Sequence, residues 1–287
     1  MLVSLSNRRL PVRLKRRVFM RATSLGHGFG ARVDGIALHE IGDRVLSDVI
    51  SLLEEWGLLV FPRQALDDRD LHAFATRIGS LEESSRKVCL SPQFPAIGNL
   101  SNLRDDDGER IGFASTTTDF WHSDQQHREN PATLAFLYCL VPSPAGGATS
   151  FVSTDVDRTG LDSDLIDRLA ALRVVYEPAP DHDNIPATQV SQPALLKSPT
   201  SQRRFAYVSE NTVGFLGLGE EGSATLKRLV LDHLLHPSRV YSHDWTMGDL
   251  ILYDNAQLMH RREPYEGRRW LKTAKIFAPK DTFAVPA

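Results

Sequence analysis

The amino-acid sequence predicts a mainly β protein with flanking helices, arranged as an antiparallel sandwich or jelly roll. Three observations carry that expectation. Short apolar runs such as "TLAFLYCLV", "RFAYVS", "SRVYSHDW", "DLILYDN" and "WLKTAKIF" fill the later part of the chain, divided by Gly, Pro, Asn and Asp clusters. Helical periodicity is confined to two early segments and two later ones. Strand and helix do not alternate regularly, which argues against parallel βαβ units.

Taken in order, the chain opens on a basic cluster, "RRLPVRLKRRVFMR" at 8–21, read as part of a flexible tail over residues 1–24; a transit peptide or a nucleic-acid arm is the alternative. One domain then runs from 25 to 287. A helix is expected over Asp43–Trp56, where Leu46, Val49, Ile50 and Leu53 recur at helical spacing and Gly57 stands at the stop position. "LLVFP" follows as a buried strand ended by Pro62. Asp67 is an N-cap for a second helix carrying Leu71, Phe74, Ala75 and Ile78 on one face as far as Gly79.

The run "RDDDGER" at 104–110 is a solvated loop, with a lid over a site as its functional alternative. Two later helices are expected near Ser163–Leu172 and Ser223–Leu235, the second with Leu226, Leu229, Val230 and Leu234 on one side. Such a jelly roll leaves an open mouth between its sheets, where ligands commonly sit.

The composition narrows the partners. The chain has 287 residues, a formal net charge of −3, and 41% hydrophobic and 24% charged residues, so neither sign favours a polyanion or a membrane surface. Basic residues gather in the tail and are not interleaved with aromatics near the candidate site, which argues against nucleic acid. No apolar run is long enough to span a bilayer and no signal-peptide core precedes a cleavage site, so a cytoplasmic protein is expected. Cys89 and Cys139 are too few for a disulfide framework and lack zinc or redox spacing; Cys139 is expected to be buried and inert.

The segment "FWHSDQQH" at 120–127 carries the chemistry. If it is a strand, His122 and Asp124 project from one face and can reach a single ion. His260, in "LILYDNAQLMHRREPYEGRRWLKT", is the best third ligand, carried by a loop after a buried strand and its "YDN" turn. Two imidazoles and one carboxylate leave open positions on the ion, the arrangement of non-haem Fe(II) oxygenases. A structural zinc site needs four protein ligands, usually with thiolates, which are scarce here.

These residues also carry a family resemblance. "FWHSD", "PAGGAT" and "GDLILYDNAQLMH" followed by "RRW" resemble the taurine dioxygenase (TauD/TfdA) family of Fe(II)/2-oxoglutarate-dependent dioxygenases, with "YCLVP" and "RRWLK" leaning toward its clavaminate-synthase-like branch. The similarity runs from about Gly30 to Phe277, because "GARVDGIALHE" and "GLLVFPRQALDDRDLHAFATRIGSL" resemble the opening of that fold. It implies a double-stranded β-helix with Fe(II) on His122, Asp124 and His260. It also implies 2-oxoglutarate and O2 as co-substrates, with Arg269 clasping the distal carboxylate and the Thr149 hydroxyl assisting.

A guanidinium presents a planar fork to a carboxylate, which suits the role of Arg269. Along "RWLKTAKIF", alternation puts Arg269, Leu271 and Thr273 on one face and Trp270, Lys272 and Ala274 on the other, with Lys272 in water and Arg268 the rival for the clasp. The implied reaction oxidises an unactivated C–H bond of a small organic molecule, an amino acid or an intermediate of secondary metabolism, and releases succinate and CO2.

Substrate is where the chain departs from taurine dioxygenase. Thr273 stands where that enzyme has a sulfonate-binding arginine and Glu82 where it has a sulfonate-contacting histidine, so taurine is not expected and an amine would suit the charge. His127 lines the substrate mouth, serves as a spare ligand or is a solvent-facing loop residue. Trp121 is expected to pack in the core and Asn255 to tie the turn before His260. His182, His233, His236 and His243 lack an acidic partner at ligand spacing and are read as loop or helix-surface residues. A zinc-dependent jelly-roll hydrolase and a non-catalytic protein that senses 2-oxoglutarate or iron remain open, as does a homo-oligomer.

Overall fold

The computed structural model describes residues 20–83, 90–113, 119–178, 188–198, 201–277 and 285–286. The chain begins with a hairpin of β1 (Arg21–Ser24) and β2 (Ala31–Asp34), then α1 (Asp43–Trp56), β3 (Leu58–Phe61), α2 (Asp68–Ile78), β4 (Ser80–Leu81) and β5 (Gly98–Ser101). The middle holds β6 (Leu134–Val141), β7 (Ala145–Gly146), β8 (Thr149–Ser153), α3 (Val156–Thr159), α4 (Ser163–Ala170), β9 (Arg173–Tyr176), β10 (Val190–Pro193), β11 (Leu195–Lys197), β12 (Arg204–Ala206), β13 (Thr212–Phe215) and α5 (Glu220–Leu234). Five strands of the closing segment are β14 (Tyr241–His243), β15 (Leu250–Asp254), β16 (Leu258–Arg262), β17 (Tyr265–Glu266) and β18 (Trp270–Phe277), with the short β19 (Val285–Pro286) after them.

Local chemistry sets the early boundaries as expected. Gly57 ends α1 in the left-handed region at φ 73°, its N–H donating to the Leu53 carbonyl at 2.7 Å. A reciprocal capping box starts α2: the Asp67 carboxylate accepts from the Asp70 N–H at 2.8 Å and the Asp70 carboxylate from the Asp67 N–H at 3.2 Å.

The strands form two facing layers. The large sheet has eight strands in the order β1-β2-β3-β15-β6-β18-β4, with β5 also paired to β18; β2 and β3 run parallel and the other pairs antiparallel. A smaller sheet, β14-β8-β16, packs against one face of it. Period-two alternation separates the faces. Leu58, Val60, Ala135, Leu137, Ile251 and Tyr253 point inward to meet Phe151 of β8 and Leu258 of β16. Leu59, Phe61, Phe136 and Leu252 point outward onto Leu46, Val49 and Leu53 of α1 and Leu71 and Phe74 of α2. Behind the small sheet, Val152 and Met259 meet Leu169 of α4 and Leu226, Val230 and Leu234 of α5. Each such side chain contributes about 1.5–3 kcal/mol on burial, so both faces of both sheets are held.

Several expectations shift. Arg21–Ser24, assigned to the tail, pair in register with Ala31–Asp34; residues 1–19 lie outside the described residues. A short helix, α3, joins the two expected later ones because Asp155 accepts from the Asp157 and Arg158 amides and caps it. Leu229 on α5 is 39% exposed, and Leu231 takes its place in the core. His243 is not a surface residue: it is buried on β14, its Nε2 3.1 Å from Asp249 Oδ2, an acid six residues on. Residues 104–110 form an exposed self-bonded turn, with the Asp105 carboxylate accepting from the Asp107 and Glu109 amides. His182 and Cys89 lie outside the described residues.

Candidate metal centre and its cavity

His122 lies outside the named strands. It forms an isolated bridge to His260, each backbone N–H donating to the other's carbonyl, at 3.1 and 2.8 Å. Asp124 follows in a turn, so the expected strand is replaced by a strap laid along β16. His260 sits within β16 itself and not in a loop. The three side chains nevertheless converge, with one ligand atom from each lying within 4.8 Å of the others.

Neighbouring groups fix each of the three. The Phe120 carbonyl, 3.0 Å from His122 Nδ1, can only accept, so that nitrogen carries the proton and Nε2 keeps its lone pair. The His260 ring is stacked on Phe151 at 5.8 Å and edged by Tyr253 at 5.3 Å. The Asp124 backbone is held at both ends by Asn255, which accepts from its N–H at 2.8 Å and donates to its carbonyl at 3.0 Å. Asn255 therefore ties the metal strap across the sheet; the tight turn before β16 is made by Asp254, whose Oδ1 accepts from the Ala256 and Gln257 amides.

Electrostatics prepares the site for a cation. Burial alone would favour neutral Asp124, but Lys275, then His260 and His122, outweigh it and hold the carboxyl well below the usual range. Lys275 Nζ donates to Asp124 Oδ2 at 2.6 Å and the Tyr253 hydroxyl donates to the same atom at 2.9 Å. Burial, helped by the neighbouring His122 and Lys275 and opposed by Asp124, lowers His260 to about 3. The 3.6 Å contact between His260 and Asp124 is thus no ion pair at neutral pH, and the imidazole keeps a lone pair for a ligand bond. The donor set of two imidazoles and a carboxylate fits a divalent ion of the first transition row.

The triad opens on a cavity of roughly 500 Å³, within the range of small-molecule sites. Arg269 lines it and is buried, whereas Arg268 is exposed. Burial lowers the Arg269 pKa to about 10, which leaves it cationic at neutral pH. Its Nε donates to the Gly147 carbonyl at 3.3 Å and its guanidinium lies 5.5 Å from the Tyr265 ring. Among the described residues no carboxylate forms an ion pair with it, so the cavity presents a buried cation in need of an anion. Gly147 of "PAGGAT" permits this packing: at φ 77°, a Cβ there would meet the Tyr265 Cβ at 3.0 Å and Arg269 Nε at 3.3 Å. Thr149 also lines the cavity, its hydroxyl accepting from Trp245 Nε1 at 3.0 Å.

The remaining expected residues reach the same cavity. Glu82, His127 and Thr273 all line it. Glu82 is not a waiting charge, because Arg128 Nη2 donates to its carboxylate at 2.7 Å. Lys272 is buried and paired with Asp68 at the start of α2, contrary to the expectation of a wet side chain. Trp121 is buried in the core as expected, with the Arg261 guanidinium 4.9 Å from its ring. Cys139 is buried, and burial pushes its thiol up to about 12, which fits an inert role. None of residues 104–110 lines the cavity.

Two residues that complete the site went unread in the sequence: Lys275 and Tyr253. The signal was present. The face that holds 269, 271 and 273 continues to 275, and Tyr253 shares the inward face of β15 with Ile251.

Comparison with known proteins identifies the family and the fold. The model of the taurine catabolism dioxygenase TauD, TfdA family matches residues 21–274. An alpha-ketoglutarate-dependent 2,4-dichlorophenoxyacetate dioxygenase of Cupriavidus pinatubonensis is 27% identical over 270 residues, covering 86% of this chain and 93% of the relative. A pentalenolactone F synthase of Streptomyces avermitilis is 25% identical, over 88% of this chain and 92% of its own. Among solved structures, AAD-2 with Mn(II) and N-oxalylglycine superimposes with a TM-score of 0.77 at 24% identity, covering 91% of this chain and 97% of the other. A taurine dioxygenase from Burkholderia xenovorans gives 0.77 at 19% identity, over 91% of each chain. The jelly roll expected from the sequence is thus the TauD-like one, and the chain belongs to the TauD/TfdA family of dioxygenases.

Proposed function

We propose that this dioxygenase holds Fe(II) on His122, Asp124 and His260, binds 2-oxoglutarate with Arg269 and Thr149, and oxidises a C–H bond of a small carboxylate-bearing substrate. One observation carries the reading: three metal-competent side chains line the same cavity as a buried arginine that has no carboxylate partner among the described residues. When bound, Fe(II) and the keto acid supply the activation of O2 that couples release of succinate and CO2 to substrate oxidation.

The protein's own residues supply the placement. His122 and His260 offer lone pairs whose directions are set by the Phe120 carbonyl and by the Phe151 and Tyr253 rings. Arg269 gives the distal carboxylate of 2-oxoglutarate a two-pronged partner away from bulk water. Leu100, Leu137, Leu271 and Phe113 offer apolar wall for the body of a substrate.

An acidic substrate is favoured over an amine. Glu82, the basis for expecting an amine, is engaged by Arg128, while the Lys275 ammonium lies in the cavity wall. Two relatives are named for the acids dichlorophenoxyacetate and phenoxypropionate. The test is succinate release under O2 with Fe(II), 2-oxoglutarate and a panel of aryloxy and alicyclic carboxylates set against matching amines. Stimulation by carboxylates alone supports the reading. Turnover with Zn(II) in the absence of O2 would replace it with a hydrolase.

A further inference from the structure

Lys275 is placed where neither metal binding nor cofactor binding requires a cation. Its Nζ donates to Asp124 Oδ2 at 2.6 Å, on the oxygen that faces His260 Nε2 at 3.6 Å, and to the Thr273 hydroxyl at 3.2 Å. It is partly exposed and lines the cavity on the same strand face as Arg269, Leu271 and Thr273. An ammonium and a divalent cation cannot share one carboxylate oxygen in a partly desolvated cavity without strong repulsion. Lysine has the reach to move, being a compact charge on a flexible four-carbon stem.

We propose that Lys275 is a resident counter-ion that neutralises Asp124 in the metal-free protein, is displaced when a divalent ion binds, and then receives the anionic group of the substrate. Metal occupancy is thereby coupled to substrate recognition: the cation that holds the substrate is free only once the metal is in place. The inference rests on the proposed dioxygenase function and adds an order of binding to it.

The test has two arms, neither of which uses turnover. Binding of Mn(II) to wild type, Lys275→Met and Lys275→Arg is measured by the paramagnetic resonance signal of the free ion. Removing the competing charge should make Lys275→Met bind Mn(II) about tenfold more tightly, and Lys275→Arg should stay near wild type. In the second arm, proteins saturated with Mn(II) and N-oxalylglycine are titrated calorimetrically with small carboxylates from acetate to phenoxyacetate. Wild type should bind a member of the series at least about tenfold more tightly than Lys275→Met does. Thermal melts identify a variant that fails to fold, in which case Lys275→Arg and Lys275→Gln carry the comparison.

Mn(II) binding that is unchanged or weaker in Lys275→Met overturns the counter-ion role. Carboxylate binding that is absent in wild type or indifferent to the substitution overturns the receiving role. Wild type that takes up no Mn(II) at all removes the functional reading itself, an outcome distinct from either.

Discussion

Two buried groups give opposite signals about what function costs. Arg269 is 6% exposed and, among the described residues, has no carboxylate partner, so the cavity carries a desolvated charge. Replacing it with Leu should leave the metal-free protein as stable as wild type or more so, by about 1 kcal/mol, while abolishing 2-oxoglutarate binding. Denaturant midpoints and calorimetric titration check both halves; a marked loss of stability would make Arg269 a structural residue. His260 sets a pH dependence. Burial holds its folded pKa at about 3, well below the ordinary imidazole value of 6.5, so between those values the unfolded chain takes up a proton that the folded chain refuses. Stability of the metal-free protein should therefore fall on acidification below pH 6.5, by up to about 1.4 kcal/mol per unit from this one residue. Asp124, which Lys275 keeps ionised in the folded protein well below the ordinary carboxylate range, adds a loss in the same direction at lower pH. Denaturant unfolding with chelator at pH 7 and pH 5 measures the slope, and His260→Gln should flatten it.

At the scale of elements, the site depends on a strap held from outside itself. Asn255, in the turn between β15 and β16, bonds the Asp124 N–H and carbonyl and the Ala132 carbonyl at 2.8 Å. Asn255→Ala would strand these buried groups, at about 1–3 kcal/mol each where water cannot replace the amide. Beyond that lower stability, divalent-ion affinity should drop at temperatures where circular dichroism still reports a folded protein; unaltered affinity would detach the strap from Asn255. The same element shows where sequence reading ends. The convergence of His122 and Asp124 with His260 is legible from residue type and joint occurrence, but the expected strand is not there, because the segment pairs with β16 at a single bridge and then turns. Period-two alternation predicts a wet Lys272. The opposite face of β18 is instead covered by α2, and Asp68 in its first turn supplies the counter-charge. Alternation tells which residues share a face, not what packs on it. The local signals fared better: the Asp67 capping box and the Gly57 stop are encoded within a few residues of the helix ends they set.

For the molecule as a whole, the candidate metal ligands join parts of the chain that are remote in sequence. His122 and Asp124 come from the strap before β6, and His260 comes from β16 of the small sheet. An unfolded chain cannot hold all three together, so a divalent ion held by this triad would bind the folded state alone and stabilise it by RT ln(1 + [M]/Kd). At one hundred times Kd this is about 2.7 kcal/mol, and for a chain of this size each kcal/mol raises Tm by about 2–4 °C. Mn(II) at that excess should therefore raise Tm by roughly 5–10 °C. Asp124→Asn should remove the increment, because an amide offers neither the charge nor the same affinity, while His127→Gln should preserve it, since His127 lines the cavity outside the converging triad. Adding N-oxalylglycine to the Mn(II)-loaded protein should raise Tm further in wild type and not in Arg269→Leu, which separates the metal end of the cavity from its carboxylate end. A Tm indifferent to Mn(II) in wild type would mean that the three side chains do not act as one site, whatever their spacing.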